Sequence, residues 1–153
     1  MNYGFYGSEN KALHSINAKN TDFAPVTTPF ELYDVLKDIW CADTCAPRMR
    51  KDWNPDNPTM GQCSITAFLV QDIFGGKVFG VPLEDGNYHC YNVVQMPDGS
   101  ECLFDLTSEQ FGDKKLSYEN NPEQFREVHF AKEEKHQRYN YLKAELLKKL
   151  EEM

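Results

Sequence analysis

Three side chains have the types and the chain order that nucleophilic acyl chemistry needs: Cys63, His89 and Asp105. A thiolate attacks a carbonyl carbon. An imidazole keeps that thiolate ionised and then protonates the leaving group, and a carboxylate orients the imidazole and stabilises its cation. Each residue also has a plainer reading. A cysteine is often a small, inert core residue, and a histidine in a strand is often just packed. Asp105 is harder to dismiss. It sits between Phe104 and Leu106 in a strand-like run, where aspartate is depleted and a buried carboxylate is costly unless paired. A hydrogen-bonded histidine would be such a partner.

These side chains need elements that bring them together. Thr28-Pro29-Phe30-Glu31 reads as a helix start, with Thr28 as N-cap, Pro29 at the first helical position and Glu31 closing a capping box. Leu32, Val35, Leu36 and Trp40 then recur at helical spacing and predict a helix to about Trp40. Residues 41–59 form a long, proline-punctuated loop, and a loop of that length in a compact domain is often functional. A second helix starts near Thr59 or Met60 and stops at Gly75-Gly76. Its apolar residues cover most of its circumference, so it belongs inside the domain. Cys63 lies in its first turn, where unpaired N–H groups and the helix dipole favour a thiolate and could hold an oxyanion. A second oxyanion donor would come from Gln62 or from the indole N–H of Trp53. Gly61 leaves room for another chain segment to approach.

Beyond Gly76 the period changes. Runs at 77–83, 88–95 and 101–107, separated by Glu84-Asp85-Gly86-Asn87 and Pro97-Asp98-Gly99, predict an antiparallel meander. Met96-Pro97-Asp98-Gly99 suits a type I turn followed by a left-handed glycine, a three-residue loop with a bulge. That loop sets Met96 against Ser100, Tyr91 against Asp105 and His89 against Thr107. His89 and Asp105 become diagonal neighbours on one face. A two-residue loop would throw them onto opposite faces, so the chemical reading depends on this turn. Residues 131–152 predict a terminal helix, with Tyr139, Leu142, Leu146 and Leu150 as its apolar stripe. Residues 1–25 read as an irregular, loosely held segment, and residues 26–153 as a single α+β domain.

Composition narrows the setting. The 153 residues carry a formal charge of −8, which argues against nucleic acid as a partner. The acidity belongs to the body, because residues 131–153 hold six basic and five acidic side chains. No apolar run reaches the length of a membrane span, and the N-terminus has no apolar signal-peptide region. Five cysteines, an odd number, read as free thiols in a reducing, cytoplasmic compartment. Cys41 and Cys45 have zinc-like spacing, but no second pair follows, so neither a metal nor a cofactor is expected. Cys90 and Cys102 fall on the strand face away from His89 and read as core. His129 and His136, in or near the last helix, read as solvent-exposed. The last helix should pack on its own domain, leaving a monomer or a weak dimer.

Gly61-Gln62-Cys63-Ser64-Ile65-Thr66-Ala67, Gln71-Asp72-Ile73-Phe74-Gly75-Gly76, His89-Cys90-Tyr91-Asn92 and Phe104-Asp105-Leu106-Thr107-Ser108-Glu109-Gln110-Phe111 together resemble the YunG-like group of small bacterial proteins. That pattern runs GQC, TA, VQD and FGG, then HYWN, then DLT and QF. Here Cys90 stands in place of the tyrosine after the histidine and Tyr91 in place of the tryptophan, and neither change touches the trio. The resemblance covers roughly residues 53–111, with Arg138-Tyr139 in the last helix, and names no substrate. More distantly, a cysteine opening a central helix, with His and Asp on later strands, is similar to the papain-like and transglutaminase-like core. That similarity implies an α+β fold, a central helix packed on a small antiparallel sheet with N-terminal and C-terminal helices. It also implies thiol chemistry on an unknown peptide, amide or small-molecule substrate: a cysteine-dependent hydrolase or acyl transferase, whether peptidase, amidase or transglutaminase-like. The alternative is a catalytically inactive interaction module on the same fold, with the trio as a structural hydrogen-bond network.

Overall fold

The computed structural model describes residues 3–112 and 114–153. Helix α1 spans Pro29–Leu36. Its capping box is formed: Thr28 Oγ1 accepts from the Glu31 N–H at 3.3 Å, and Glu31 Oε1 accepts from the Thr28 N–H at 3.1 Å. The helix stops short of Trp40, which is buried in the following turn and donates its indole N–H to Thr66 Oγ1 at 3.0 Å. Helix α2, Cys63–Phe74, has nine buried residues and ends at Gly75. It starts later than the sequence suggests: Met60 and Gly61 form a turn, Gln62 is the N-cap, and Cys63 is the first helical residue.

Strands β1 (Lys77–Pro82), β2 (Tyr88–Gln95), β3 (Glu101–Phe104) and β4 (Glu123–Gln124) make one antiparallel sheet in the order β3-β2-β1-β4. The β2–β3 register is the one the three-residue loop requires. Met96 N–H donates to Ser100 O at 2.7 Å, Gly99 is left-handed at φ 89°, and Asn92 faces Phe104. Strand β4 has only two residues and no sequence signal of its own. Cys90, Asn92 and Val94, with Cys102 and Phe104, line the sheet face that meets α2, and Asn92 Nδ2 donates to Ala67 O at 2.9 Å. Cys90 and Cys102 are therefore core residues, as their strand parity indicates.

A short helix α3 (Arg126–His129) leads into α4 (Glu133–Glu151). Helix α4 buries Tyr139, Leu142, Leu146 and Leu150 and packs on the side of α2 away from the sheet. The chain is thus α+β, with α2 enclosed between a four-stranded antiparallel sheet and the terminal helix.

The expected looseness of the first 25 residues is corrected. Phe5, Leu13, Ile16 and Phe23 are all at most 4% exposed and belong to the core. Tyr6 forms a β-bridge with Asp105, whose N–H donates to Tyr6 O at 3.0 Å. The segment is irregular because its apolar residues follow no period, and it is ordered because those residues fill the space beside α1 and β3. Among the described residues no helix is long and apolar enough to cross a membrane.

Candidate active site

The start of α2 and the start of β2 converge on one cavity of about 430 Å³ lined by Cys63 and His89, a volume within the ordinary range for small-ligand sites, and the residue after β3, Asp105, is paired with His89. Cys63 arrives there because the 41–62 segment is pinned beneath it. Gly61, at φ 71°, lies so close to Cys45 that a β-carbon would meet Cys45 Sγ at 2.5 Å and Ala46 N at 2.9 Å. Gly61→Ala should therefore lower stability by more than the roughly 1–2 kcal/mol of a left-handed alanine and displace the α2 start. A urea unfolding midpoint indistinguishable from that of the parent would refute this close packing.

His89 and Asp105 meet as the register requires. His89 Nε2–H donates to Asp105 Oδ2 at 2.5 Å, and both side chains are essentially inaccessible. Tyr118 OH donates to the same oxygen at 2.8 Å. The other oxygen, Oδ1, accepts from the Thr107 N–H at 3.1 Å and from Thr107 Oγ1 at 3.3 Å. Every hydrogen-bonding direction of the carboxylate is used, which accounts for an aspartate this deep in the protein. Phe111 stands edge-on to the His89 ring at 4.7 Å and shields it. Tyr6 stacks on Tyr118 at 4.0 Å, so the N-terminal segment backs the site.

With Nε2 committed to Asp105, His89 Nδ1 is buried without a hydrogen-bond partner and is the nitrogen left to serve Cys63. Burial by itself would lower the His89 pKa. The Asp105 charge and hydrogen bond, with Cys63 adding, overcome this and hold it at about 10. Burial likewise opposes a thiolate at Cys63. Its polar contact with the His89 ring and that ring's positive charge, helped by the Cys90 backbone N–H, more than offset it and bring the thiol below its ordinary value. The two groups support an ion pair, thiolate and imidazolium. When neutral, the S–H has the Tyr88 carbonyl oxygen at 3.8 Å as acceptor.

Neither of the two side-chain oxyanion donors expected from sequence lines the cavity. Gln62 Nε2 donates to Cys41 O at 3.1 Å, tying the helix start to the preceding loop, and Trp53 Nε1 donates to Pro58 O at 3.1 Å. The donors that remain are the backbone N–H groups of Cys63 and Ser64 in the first turn of α2, which helix geometry leaves without an intrahelical acceptor.

His129 corrects a sequence expectation. It is 8% exposed rather than a surface residue and lines the cavity, whereas His136 is exposed. His129 Nε2–H donates to Gln124 Oε1 at 2.8 Å, and Nδ1 accepts from Lys135 Nζ at 2.9 Å. Burial, with Lys135 and Lys132 nearby, pushes its pKa down to about 4, so it is a neutral imidazole at pH 7. Tyr118, His129 and Lys135 have no sequence signal that marks them for this site, whereas Thr107 stands in the Asp105-Leu106-Thr107 run and opposite His89 in the expected register. Cys45 is buried and Cys41 half-buried. Among the described residues no group of three or more His, Cys, Asp or Glu is placed to hold a metal ion.

The sequence model of the family described as YunG protein matches residues 28–151. A relative from Bacillus subtilis (strain 168), named "Uncharacterized protein YunG", is 32% identical over 77 residues, an alignment covering 50% of this chain and 57% of that protein. The match therefore spans little more than half of the relative's length. No solved structure matches the chain.

Proposed function

The chain belongs to the YunG family, and on that footing we propose that it is a cysteine-dependent hydrolase or acyl transferase built on a papain-like or transglutaminase-like core. Cys63 is the nucleophile, His89 the base and acid, and Asp105 the residue that orients His89. One observation carries the reading: a buried His89–Asp105 pair at 2.5 Å, with the other His89 ring nitrogen left unpartnered, in a residue that lines the same cavity as Cys63. A packed structural histidine has no need of an unpartnered nitrogen, because leaving one buried costs about 1–3 kcal/mol. The core assignment is supported by chain order, with the cysteine first in the enclosed helix and the histidine and aspartate on the strands that follow.

The chemistry runs in two halves. The Cys63 thiolate attacks the carbonyl carbon of an amide or ester, forming a C–S bond and an oxyanion that faces the first-turn N–H groups of α2. His89 gives its Nδ1 proton to the departing amine or alcohol as the old bond breaks, leaving a thioester on Cys63. A water molecule or an acceptor amine then attacks the thioester and surrenders its proton to Nδ1. The thiolate departs and an acid or a new amide is released. Asp105 keeps its negative charge throughout and stabilises the imidazolium.

Exposure to p-nitrophenyl acetate tests this reading. The expected result is a burst of one equivalent of nitrophenolate and an acetyl group on Cys63, located by mass spectrometry. Cys63→Ser should give no burst. Steady release without acylation of Cys63 would overturn the proposal in favour of a structural network.

A further inference from the structure

We infer that the substrate of this site carries a negative charge, a carboxylate or phosphate group held by Lys135 and Lys132 at the wall of the cavity. This rests on the thiol reading above and names the substrate class it left open. The chain has a formal charge of −8, yet the cavity wall reverses that sign: Arg48, Lys132, Lys135 and Arg138 line it against the single carboxylate of Asp85. Two of these cations are already neutralised. Arg48 lies 3.5 Å from Asp85, and Arg138 Nε donates to Glu134 at 2.6 Å. Among the described residues, Lys132 and Lys135 have no carboxylate within ion-pair distance.

Lys135 is the more telling of the two. It is partly buried, and the partner of its ammonium group is the neutral imidazole of His129, itself fixed by Gln124. Burying a cation without a counter-charge is unfavourable. The chain Gln124–His129–Lys135 nevertheless fixes this ammonium beside the cavity that Cys63 lines. A ligand anion supplies the missing charge. A low-dielectric cleft lined by one sign also concentrates ligands of the opposite sign, raising their capture by about tenfold or more.

The test uses two reagents that alkylate thiols and differ in charge, N-iodoacetylglycine and N-iodoacetylglycinamide, with Cys63 modification followed by mass spectrometry at low salt. The anionic reagent is expected to react about tenfold faster, and the ratio should fall toward one in Lys135→Gln and in Lys132→Gln. Should Lys135→Gln not fold, the exposed Lys132→Gln and the native protein at high salt still decide, because screening must also lower the ratio. A ratio near one in the native protein, with both reagents reacting at Cys63, overturns the anion site and leaves the thiol reading standing. A ratio that the lysine variants leave unchanged also overturns it, because the preference then comes from His89 alone. If neither reagent modifies Cys63, both proposals fall.

Discussion

Replacing Asp105 with alanine is expected to cost the fold about 3–5 kcal/mol, the range for removing one member of a buried charged pair. The substitution strands three partners at once: the imidazole of His89, the hydroxyl of Tyr118, and the N–H and hydroxyl of Thr107. Asp105→Asn keeps the shape and some acceptors, so its cost should be smaller, about 1–3 kcal/mol. Urea midpoints at one pH measure both, and equal midpoints for the parent and the alanine variant would mean that the pair contributes nothing.

The pH dependence has a sign that follows from the two shifts. The folded His89 pKa is raised to about 10, so its contribution is complete below the unfolded value of about 6.5 and is lost as pH rises toward 10. The folded Cys63 pKa is lowered, so its contribution is complete above about 8.5 and is lost as pH falls through the folded value. Between about pH 6.5 and 8.5 the pair binds roughly one proton folded and one unfolded, and its contribution is flat. Removing the thiol in Cys63→Ala leaves only the histidine effect. The stability difference between parent and variant should then widen in the parent's favour from about pH 6.5 to 8.5, by at most about 1.4 kcal/mol per pH unit. A difference that does not change over that window would exclude the ion pair.

What could be read from the sequence, and what could not, divides along local and tertiary causes. The His89–Asp105 contact was legible because turn chemistry sets a hairpin register: once Gly99 takes a left-handed conformation at φ 89°, every cross-strand pair follows. The Thr28 capping box was legible for the same reason, since its partners are three residues apart. Asp105 was conspicuous because a carboxylate between two apolar strand residues needs a partner. Tyr118, in contrast, reaches Asp105 from an irregular loop, and Lys135 reaches His129 from the first turns of α4. Nothing in their own neighbourhoods marks those positions. The N-terminal segment misled because Phe5, Leu13, Ile16 and Phe23 are spaced without a period, and periodicity is the signal that reports burial from sequence. Gln62 misled because adjacency to a nucleophile does not set a side chain's direction. At the N-cap of α2 it turns back to the Cys41 carbonyl.

The alkylation rate of Cys63 by iodoacetamide should be nearly independent of pH between 6 and 8, whereas in His89→Ala it should climb about tenfold per pH unit, about a hundredfold in all. The argument turns on which ionisation limits the reaction. An ordinary thiol, with a pKa of about 8.5, is less than about 1% thiolate at pH 6, and its rate follows that fraction upward. In the native protein His89 already holds the proton, and raising the pH adds no further thiolate. Two effects then compete. Each unit by which the thiol pKa falls multiplies the thiolate fraction by up to about ten, but costs the thiolate about threefold in nucleophilicity, for a Brønsted slope of about 0.4–0.5. The native protein should therefore win at pH 6 and lose at pH 8, so that the two curves cross. A simple gain or loss of access to the sulfur would move a curve up or down without changing its slope. Buried Cys45, Cys90 and Cys102 provide an internal control, because their modification in the variant would report unfolding rather than a shifted pKa. His89→Gln supplies a second variant of closer volume. A native profile that rises with pH as steeply as the variant's would show that His89 does not ionise Cys63, and the nucleophile would be lost with it.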